Sequence, residues 1–380
     1  MDAALEPLEP AFVYEEVCRS LSVPLHPSVL ATLAAAPPGV LDARGAPGGG
    51  ARVTDADCDA LGETVAAAQL AALILGNNAV GDAGAAALVA GGRAASLQSL
   101  DLSNNAIGLT GVTALAAALP AGAPALLELV LDGNPLGDAA GAPLAALVEA
   151  HGALAALRLA RCELGTDALI AIASALAKTS TLRLLDLSEP RTFSRNEETI
   201  SHLAGALRAN ASLERLVLRK HRFASDTAVE RLADAILDNT ALRELDLGCN
   251  ALGPPSGATL AKALADGAAL TVLQLATCRL ADSGATALAD VLARGACSLR
   301  MLDLRSNDIG DAGIAALAAA LAAPGCPLEQ LLVWGNPGLR AGSAGATAWG
   351  DAIASGSVRA ATDVRAYDVD GEVHCAREDV

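Results

Sequence analysis

The sequence predicts an α/β solenoid, with short parallel strands on the concave side of a horseshoe and helices outside. Three observations predict it. One pattern, Leu-x-x-Leu-x-Leu-x-x-Asn-x-Leu, recurs ten times, starting at Leu70, Leu97, Leu126, Leu154, Leu182, Leu213, Leu242, Leu270, Leu299 and Leu328. The starts are 27 to 31 residues apart, and a fixed period in this range marks stacked repeats that share one core. Hydrophobic residues make up 53% of the 380 residues but aromatics only 2%, so leucine and alanine must fill the interior.

Each repeat reads as a strand, a turn and a helix. In the second, Leu100 and Leu102 alternate as on a strand, Asn104-Asn105 turn the chain, and Ile107 packs inward. Val112, Leu115 and Leu119 then follow at helical spacing, with Pro120 and Gly122 expected to end the helix. The turn asparagine has a physical task. A buried turn leaves backbone groups without partners, and an amide both donates and accepts. Asn78, Asn105, Asn134, Asn250, Asn307 and Asn336 fill this position, with Cys162 and Cys278 as small substitutes. Stacked, they form a ladder. Pro190 and His221 break the series in the fifth and sixth repeats, and the fifth also carries the long segment 188–198. Two adjacent departures are read either as a functional site or as drift in a turn.

Three segments follow. Residues 1–69 are an N-terminal cap with short helices over 9–21 and 26–33, a mobile Gly/Pro loop, and a half-repeat helix from Asp55 capped at Val53-Thr54. Residues 70–355 hold the ten repeats. Residues 356–380 form a hairpin tail, signalled by Asp370-Gly371 between alternating apolar residues.

The formal net charge of −17 argues against nucleic acid and anionic membrane as partners. The start, Met1 to Glu6, reads as no signal peptide, and no apolar run is long enough to span a membrane. The eight cysteines are scattered without a Cys-x-x-Cys pair and read as free thiols. No zinc spacing, phosphate loop or nucleophile motif occurs, and the five histidines fall in different repeats. Glu15-Glu16 and Glu197-Glu198 read as solvated charge in cap and loop. Neither catalysis, a cofactor, a metal nor a small-molecule substrate is expected.

Other proteins are the expected partners. Strand alternation puts Asp101, Asp132, Arg158, Asp186, Arg215, Arg219, Lys220, Asp246, Asp303, Arg305 and Trp334 on the open strand surface. A basic patch of Arg158, Arg161, Arg215, Arg219, Lys220 and Arg222 interrupts an acidic face. It suggests an acidic partner segment or steered docking, set against ordinary solvated strand surface. Trp334 is expected to stand exposed, either as an interaction hot spot or as cover for the last repeat.

The period, the helical second half and the Asn/Cys turn resemble ribonuclease-inhibitor-type leucine-rich repeats. Ribonuclease inhibitor itself is far richer in cysteine and tryptophan, and the acidic tail of Ran activators and the nucleotide-binding module of immune receptors do not occur here. The irregular parts point further. They are Tyr14-Glu15-Glu16-Val17-Cys18, Arg52-Val53-Thr54-Asp55-Ala56-Asp57, Asn196-Glu197-Glu198-Thr199, Arg219-Lys220-His221, Val333-Trp334-Gly335-Asn336 and Asp363-Val364 with Asp370-Gly371-Glu372-Val373. These resemble the leucine-rich repeat-containing protein 34 family over nearly the whole chain. The resemblance implies a non-catalytic intracellular scaffold of the ciliary or flagellar axoneme, in the radial-spoke or dynein-arm base region, with nucleus or nucleolus as the other location. The competing function is a regulatory binding module, such as a small-GTPase activator or enzyme inhibitor.

Overall fold

A computed structural model describes residues 9–379 except 36, 38, 47–49, 193–195 and 224–225. Phe193, Ser194 and Arg195 of the long fifth repeat therefore lie outside the described residues, as does part of the Gly/Pro segment. The chain divides into two compact units, Met1–Arg191 and Thr192–Val380, with the division inside the long fifth repeat.

Unit 1 opens with helices α1 (Pro10–Leu21) and α2 (Pro27–Ala35), then strand β1 (Val40–Asp42) and helix α3 (Asp55–Ala67). Strands and helices then alternate as β2 (Ala72–Ile74), α4 (Asp82–Val89), β3 (Ser99–Asp101), α5 (Leu109–Gly122), β4 (Glu128–Val130), α6 (Gly141–Ala150), β5 (Ala156–Arg158), α7 (Thr166–Leu176) and β6 (Leu184–Asp186). The strands are parallel and pair in chain order, with Leu41, Leu73, Leu100, Leu129, Leu157 and Leu185 in one register line. All six leucines are at most 1% exposed. Each such burial contributes about 1.5–3 kcal/mol, and the shared line stitches neighbouring repeats together.

Unit 2 runs α8 (Asn196–Ala209), β7 (Arg215–Val217), α9 (Asp226–Asp238), β8 (Glu244–Asp246), α10 (Gly253–Ala265), β9 (Val272–Gln274), α11 (Ala281–Ala293), β10 (Met301–Asp303), α12 (Asp311–Ala322), β11 (Gln330–Leu332), α13 (Ala344–Ala354) and β12 (Ala361–Thr362). Its strands also pair in parallel, with Leu216, Leu245, Leu273, Leu302, Leu331 and Thr362 in line. Strands β13 (Val364–Val369) and β14 (Glu372–Arg377) close the unit as an antiparallel hairpin. Asp370 and Gly371 both take positive φ, the backbone that a two-residue turn matching strand twist requires. The hairpin packs against α13, where Trp349 is buried.

The strands stop after three residues because the chain turns left-handed soon after. Asn77, Asn104, Arg161, Lys220, Cys249, Thr277 and Ser306 hold positive φ just before the ladder position, and Gly133 and Gly335 do the same without a side-chain penalty. The ladder then satisfies the turn. Asn134 donates to Leu131 O at 2.8 Å and back to Leu102 O at 2.9 Å, and its Oδ1 accepts from the Ile107 N–H at 3.1 Å. Asn336 does the same in unit 2, donating to Val333 O and Leu304 O and accepting from the Asn307 and Ile309 N–H groups. Cys162 and Cys278 donate their thiols to Leu131 O and Leu247 O. Burial pushes both thiols up to about 12, which suits a neutral donor and not a nucleophile.

A second ladder follows the helix starts, and the leucine pattern does not reveal it. Asp82 accepts from the Gly108 N–H at 2.6 Å, and Asp282 from the Gly310 and Gly313 N–H groups at 2.7 and 2.9 Å. Each carboxylate thus caps the helix of the following repeat, where backbone donors are unsatisfied and the dipole favours negative charge. A Cβ on Gly313 would stand 2.8 Å from the Asp282 carboxylate, so the close approach needs glycine there.

Three expectations are corrected. Strands β1 and β12 lie beyond the ten leucine patterns, because pairing with β2 and β11 suffices to order them. Helix α5 ends at Gly122 as expected but is not stopped by Pro120, since a proline in the last turn sacrifices only one backbone bond. Glu197 lies in the first turn of α8 with Glu198, not in a loop, and acidic residues suit that end of a helix.

Candidate functional site

Residues two apart on a strand share a face. The side chains that alternate with the core leucines therefore stand in columns; the one at the first strand position holds Glu128, Arg215 and Glu244, and two more follow it. In unit 1 the first of these two columns is Asp42, Ile74, Asp101, Val130, Arg158 and Asp186, fixed by strand register. Two residues further along each strand come Arg44, Gly76, Ser103, Asp132, Ala160 and Ser188.

The charges on this face are spent unevenly. Arg44 forks onto Asp42, with Nε 2.9 Å from Oδ1, and this bond holds the Asp42 carboxyl below the usual carboxylate range. Arg158 pairs with Glu128 at 3.3 Å, and Arg161 donates to Asn104 Oδ1 at 3.1 Å. Asp101 and Asp186 each accept the N–H two residues on, from Ser103 at 2.8 Å and Ser188 at 2.9 Å. Asp132 accepts the Ala160 N–H at 2.7 Å. Burial raises the Asp132 carboxyl above its ordinary value, with the nearby Asp186 adding to the shift and the Ala160 N–H, Arg158 and Arg161 opposing it.

In unit 2 the same two columns are Val217, Asp246, Gln274, Asp303 and Leu332, then Arg219, Gly248, Ala276, Arg305 and Trp334. Arg305 forks onto Asp303 at 3.0 and 2.6 Å. Arg219 pairs with Asp246 at 3.1 Å and also donates to Cys249 Sγ at 3.3 Å. Arg215 pairs with Glu244 at 3.3 Å. Lys220 and Arg222 are exposed on the sixth turn, on either side of His221, which is buried with its ring tilted against that of Phe223 at 5.6 Å between ring centroids. In the next repeat the Asn250 Oδ1 is buried without a hydrogen-bond partner.

The expected site is thereby redrawn. Arg158, Arg161 and Asp186 belong to unit 1, and Arg215, Arg219, Lys220, Arg222, Asp246, Asp303, Arg305 and Trp334 to unit 2. Arg158, Arg215 and Arg219, expected to make the face basic, are each bonded to a carboxylate on that same face. Asp246 and Asp303, expected in the open, are 7% and 1% exposed beneath their arginines. Trp334 is half-buried rather than exposed, and its backbone N–H is held by the buried Asp363. Alternation tells which face a residue takes, not how deeply neighbours cover it.

Among the described residues no three His, Cys, Asp or Glu side chains converge as a metal site, and no helix is long and apolar enough to cross a membrane. Two hollows lie at helix ends. One of about 300 Å³ in unit 1 is lined by Glu63 and Arg93, and one of about 200 Å³ in unit 2 by Cys326 and Arg359. The strand face is thus a display of ordered polar groups, and what it offers chemically is hydrogen bonding and charge.

Comparison with known proteins agrees with the repeat architecture. The family model described as "Leucine Rich repeat" matches residues 70–89, 94–116, 238–261, 269–289 and 295–318, so the chain contains leucine-rich repeats. It is similar to mouse (Mus musculus) leucine-rich repeat-containing protein 34, with 29% identity over 94 residues, which is 25% of this chain and 22% of the mouse protein. The matched stretch therefore spans about a fifth of that relative's length. Among solved structures it is similar to an internalin from Listeria monocytogenes (15% identity, 89% of this chain and 94% of that chain, TM-score 0.39). It is also similar to a chain in the yeast complex of Rad7 and Elc1 (15% identity, 87% of this chain and 81% of that chain, TM-score 0.45).

Proposed function

We propose that this leucine-rich-repeat chain is a non-catalytic scaffold for protein–protein interaction that engages partners through its strand faces. The observation that carries this reading is the display itself. Rungs of three-residue strands hold Asp101, Asp132, Asp186, Arg219 and Arg305 in fixed register, each tied by a hydrogen bond to its own or a neighbouring strand or turn. A surface ordered before binding loses little conformational entropy when a partner docks, which favours recognition.

The finer reading is a structural component of the ciliary or flagellar axoneme, in the radial-spoke or dynein-arm base region, with the nucleus or nucleolus as the alternative location. It rests on what the resemblance of the irregular segments to the leucine-rich repeat-containing protein 34 family implies; the mouse protein of that name matches over 94 residues. The test is fractionation of the tagged protein from ciliated cells. It is expected to stay with the axoneme after detergent removes the membrane and salt strips soluble proteins. Release into the soluble fraction, or residence in the nucleus, ends the axonemal reading. A parallel assay adds the protein to GTP-loaded small GTPases, and faster hydrolysis at substoichiometric amounts would replace the scaffold by a regulatory module.

A further inference from the structure

We infer that the strand face of unit 1 takes a basic, extended segment of its partner, with cations seated on Asp101, Asp132 and Asp186. This rests on the scaffold reading and adds the chemistry of what is bound.

Three arginines of this face are committed: Arg44 to Asp42, Arg158 to Glu128 and Arg161 to Asn104. Asp101, Asp132 and Asp186 instead accept one backbone N–H each. Among the described residues no side-chain cation hydrogen-bonds any of the three. An ionised carboxylate has room for about four donors, so each keeps most of its capacity. Their neighbours in the second column are small: Gly76, Ser103 and Ala160. Nothing bulky from that column walls off the carboxylates.

Ser188 gives a second, independent indication. Its hydroxyl is buried, the residue being 6% exposed, and has no hydrogen-bond partner, while its own N–H is held by Asp186. Buried hydroxyls are seldom left unpaired, because the missing bond costs free energy. An ammonium or guanidinium arriving at Asp186 carries several donors and can serve both groups. Asp132 favours the same occupant. Its carboxyl is raised chiefly by burial, and a seated cation offsets that cost where a neutral or acidic side chain would not. The chain's net charge of −17 adds long-range attraction for a basic partner. The acidic partner expected from counting arginines is therefore reversed for this face.

Spacing sharpens the fit. Adjacent rungs stand about 4.8 Å apart, so Asp132 and Asp186, two rungs apart and in different columns, are separated by about 10 Å across the strands and about 7 Å along them, a diagonal of about 12 Å. Three to four residues of extended chain cover about that distance. A segment crossing the strands with cations three residues apart meets both.

The test uses the full chain and two labelled peptides of glycine and serine, one with arginine and one with glutamate at every third position. Fluorescence anisotropy is expected to show binding of the arginine peptide and none of the glutamate peptide. The triple variant Asp101→Asn, Asp132→Asn, Asp186→Asn keeps acceptors for the three N–H groups, so its melting temperature should hold. Its affinity should fall about tenfold, as loss of charge-assisted contacts predicts. The control Glu230→Gln, Asp234→Asn, Asp290→Asn removes as much charge elsewhere and should move affinity less than about twofold. Equal binding by wild type and the carboxylate variant, or tighter binding of the glutamate peptide, overturns the inference. A photocrosslinking residue at Val130, between these carboxylates, separates the two readings in cells. Crosslinks to segments without Lys or Arg, retained in the carboxylate variant, sink the basic partner and leave the scaffold standing. No crosslink at Val130 sinks both.

Discussion

Asp303 in unit 2 and Asp101 in unit 1 sit at the same position of their repeats, yet their surroundings differ. Both accept the backbone N–H two residues on, at 3.0 Å from Arg305 and 2.8 Å from Ser103. In Asp303-Leu304-Arg305 the arginine side chain then folds back onto the carboxylate, which is 1% exposed. In Asp101-Leu102-Ser103 the side chain is too short, and the carboxylate stays half-buried with only its backbone donor. Asp42 follows the first pattern with Arg44, and Asp186 the second with Ser188. The charge a strand face offers is thus set less by how many acids it carries than by which arginine reaches each of them, from two places later at Asp42 and Asp303 and from the preceding repeat at Asp246.

The harshest way to break this contrast is to remove the floor beneath it. Leu245 is 1% exposed and lies in register between Leu216 and Leu273. Leu245→Arg buries an unpaired cation and should cost more than about 4 kcal/mol, abolishing the thermal transition of unit 2 by circular dichroism. A retained transition would mean that the leucine line does not hold the strands. Arg305→Ser converts the closed pattern to the open one. It leaves Asp303 buried without its cation and should lower stability by about 1–3 kcal/mol in denaturant titration. It should also create binding of the arginine peptide in unit 2. Ser103→Arg, at a half-buried position, is the reverse exchange. A new pair near the surface contributes little, so stability should move by less than about 1 kcal/mol while the affinity for the peptide falls. Unchanged binding there would show that the open acids are not the site.

The smallest effect appears only in acid, and it compares two turns. His151 bonds Ala123 O through Nε2 at 3.1 Å, while Nδ1 accepts the Leu154 N–H at 3.1 Å. Asn239 performs the same task with its amide, donating to Leu207 O and accepting from Leu242. Burial lowers the His151 pKa. The unfolded chain then takes the proton first, so stability is full above the ordinary imidazole value of about 6.5 and declines as pH falls below it. His151→Asn should flatten this decline in melting temperature against pH. An unaltered slope would assign the acid sensitivity to other groups.

Much of this was legible beforehand. The leucines, the Asn/Cys ladder and the Asp370-Gly371 turn are periodic or local signals, and the structure carries each of them. The helix-capping carboxylates had a signal too. Asp82-Ala83-Gly84 and Asp282-Ser283-Gly284 repeat one Asp-x-Gly motif, and it passes unnoticed when only apolar periodicity is followed. The site was less legible. That Asp246 and Asp303 are covered while Asp101 and Asp186 are not depends on where individual guanidinium groups come to rest, and periodicity carries no such information.

The ladder amides point one way. Asn134 reaches to the carbonyl of Leu102 and Asn336 to that of Leu304, always toward the turn that comes earlier in the chain. A ribosome delivers that earlier turn first. Within each unit, every coil that carries a ladder amide or thiol brings the donor that closes the one already outside, so folding can keep step with translation and the unfinished end is always the newest.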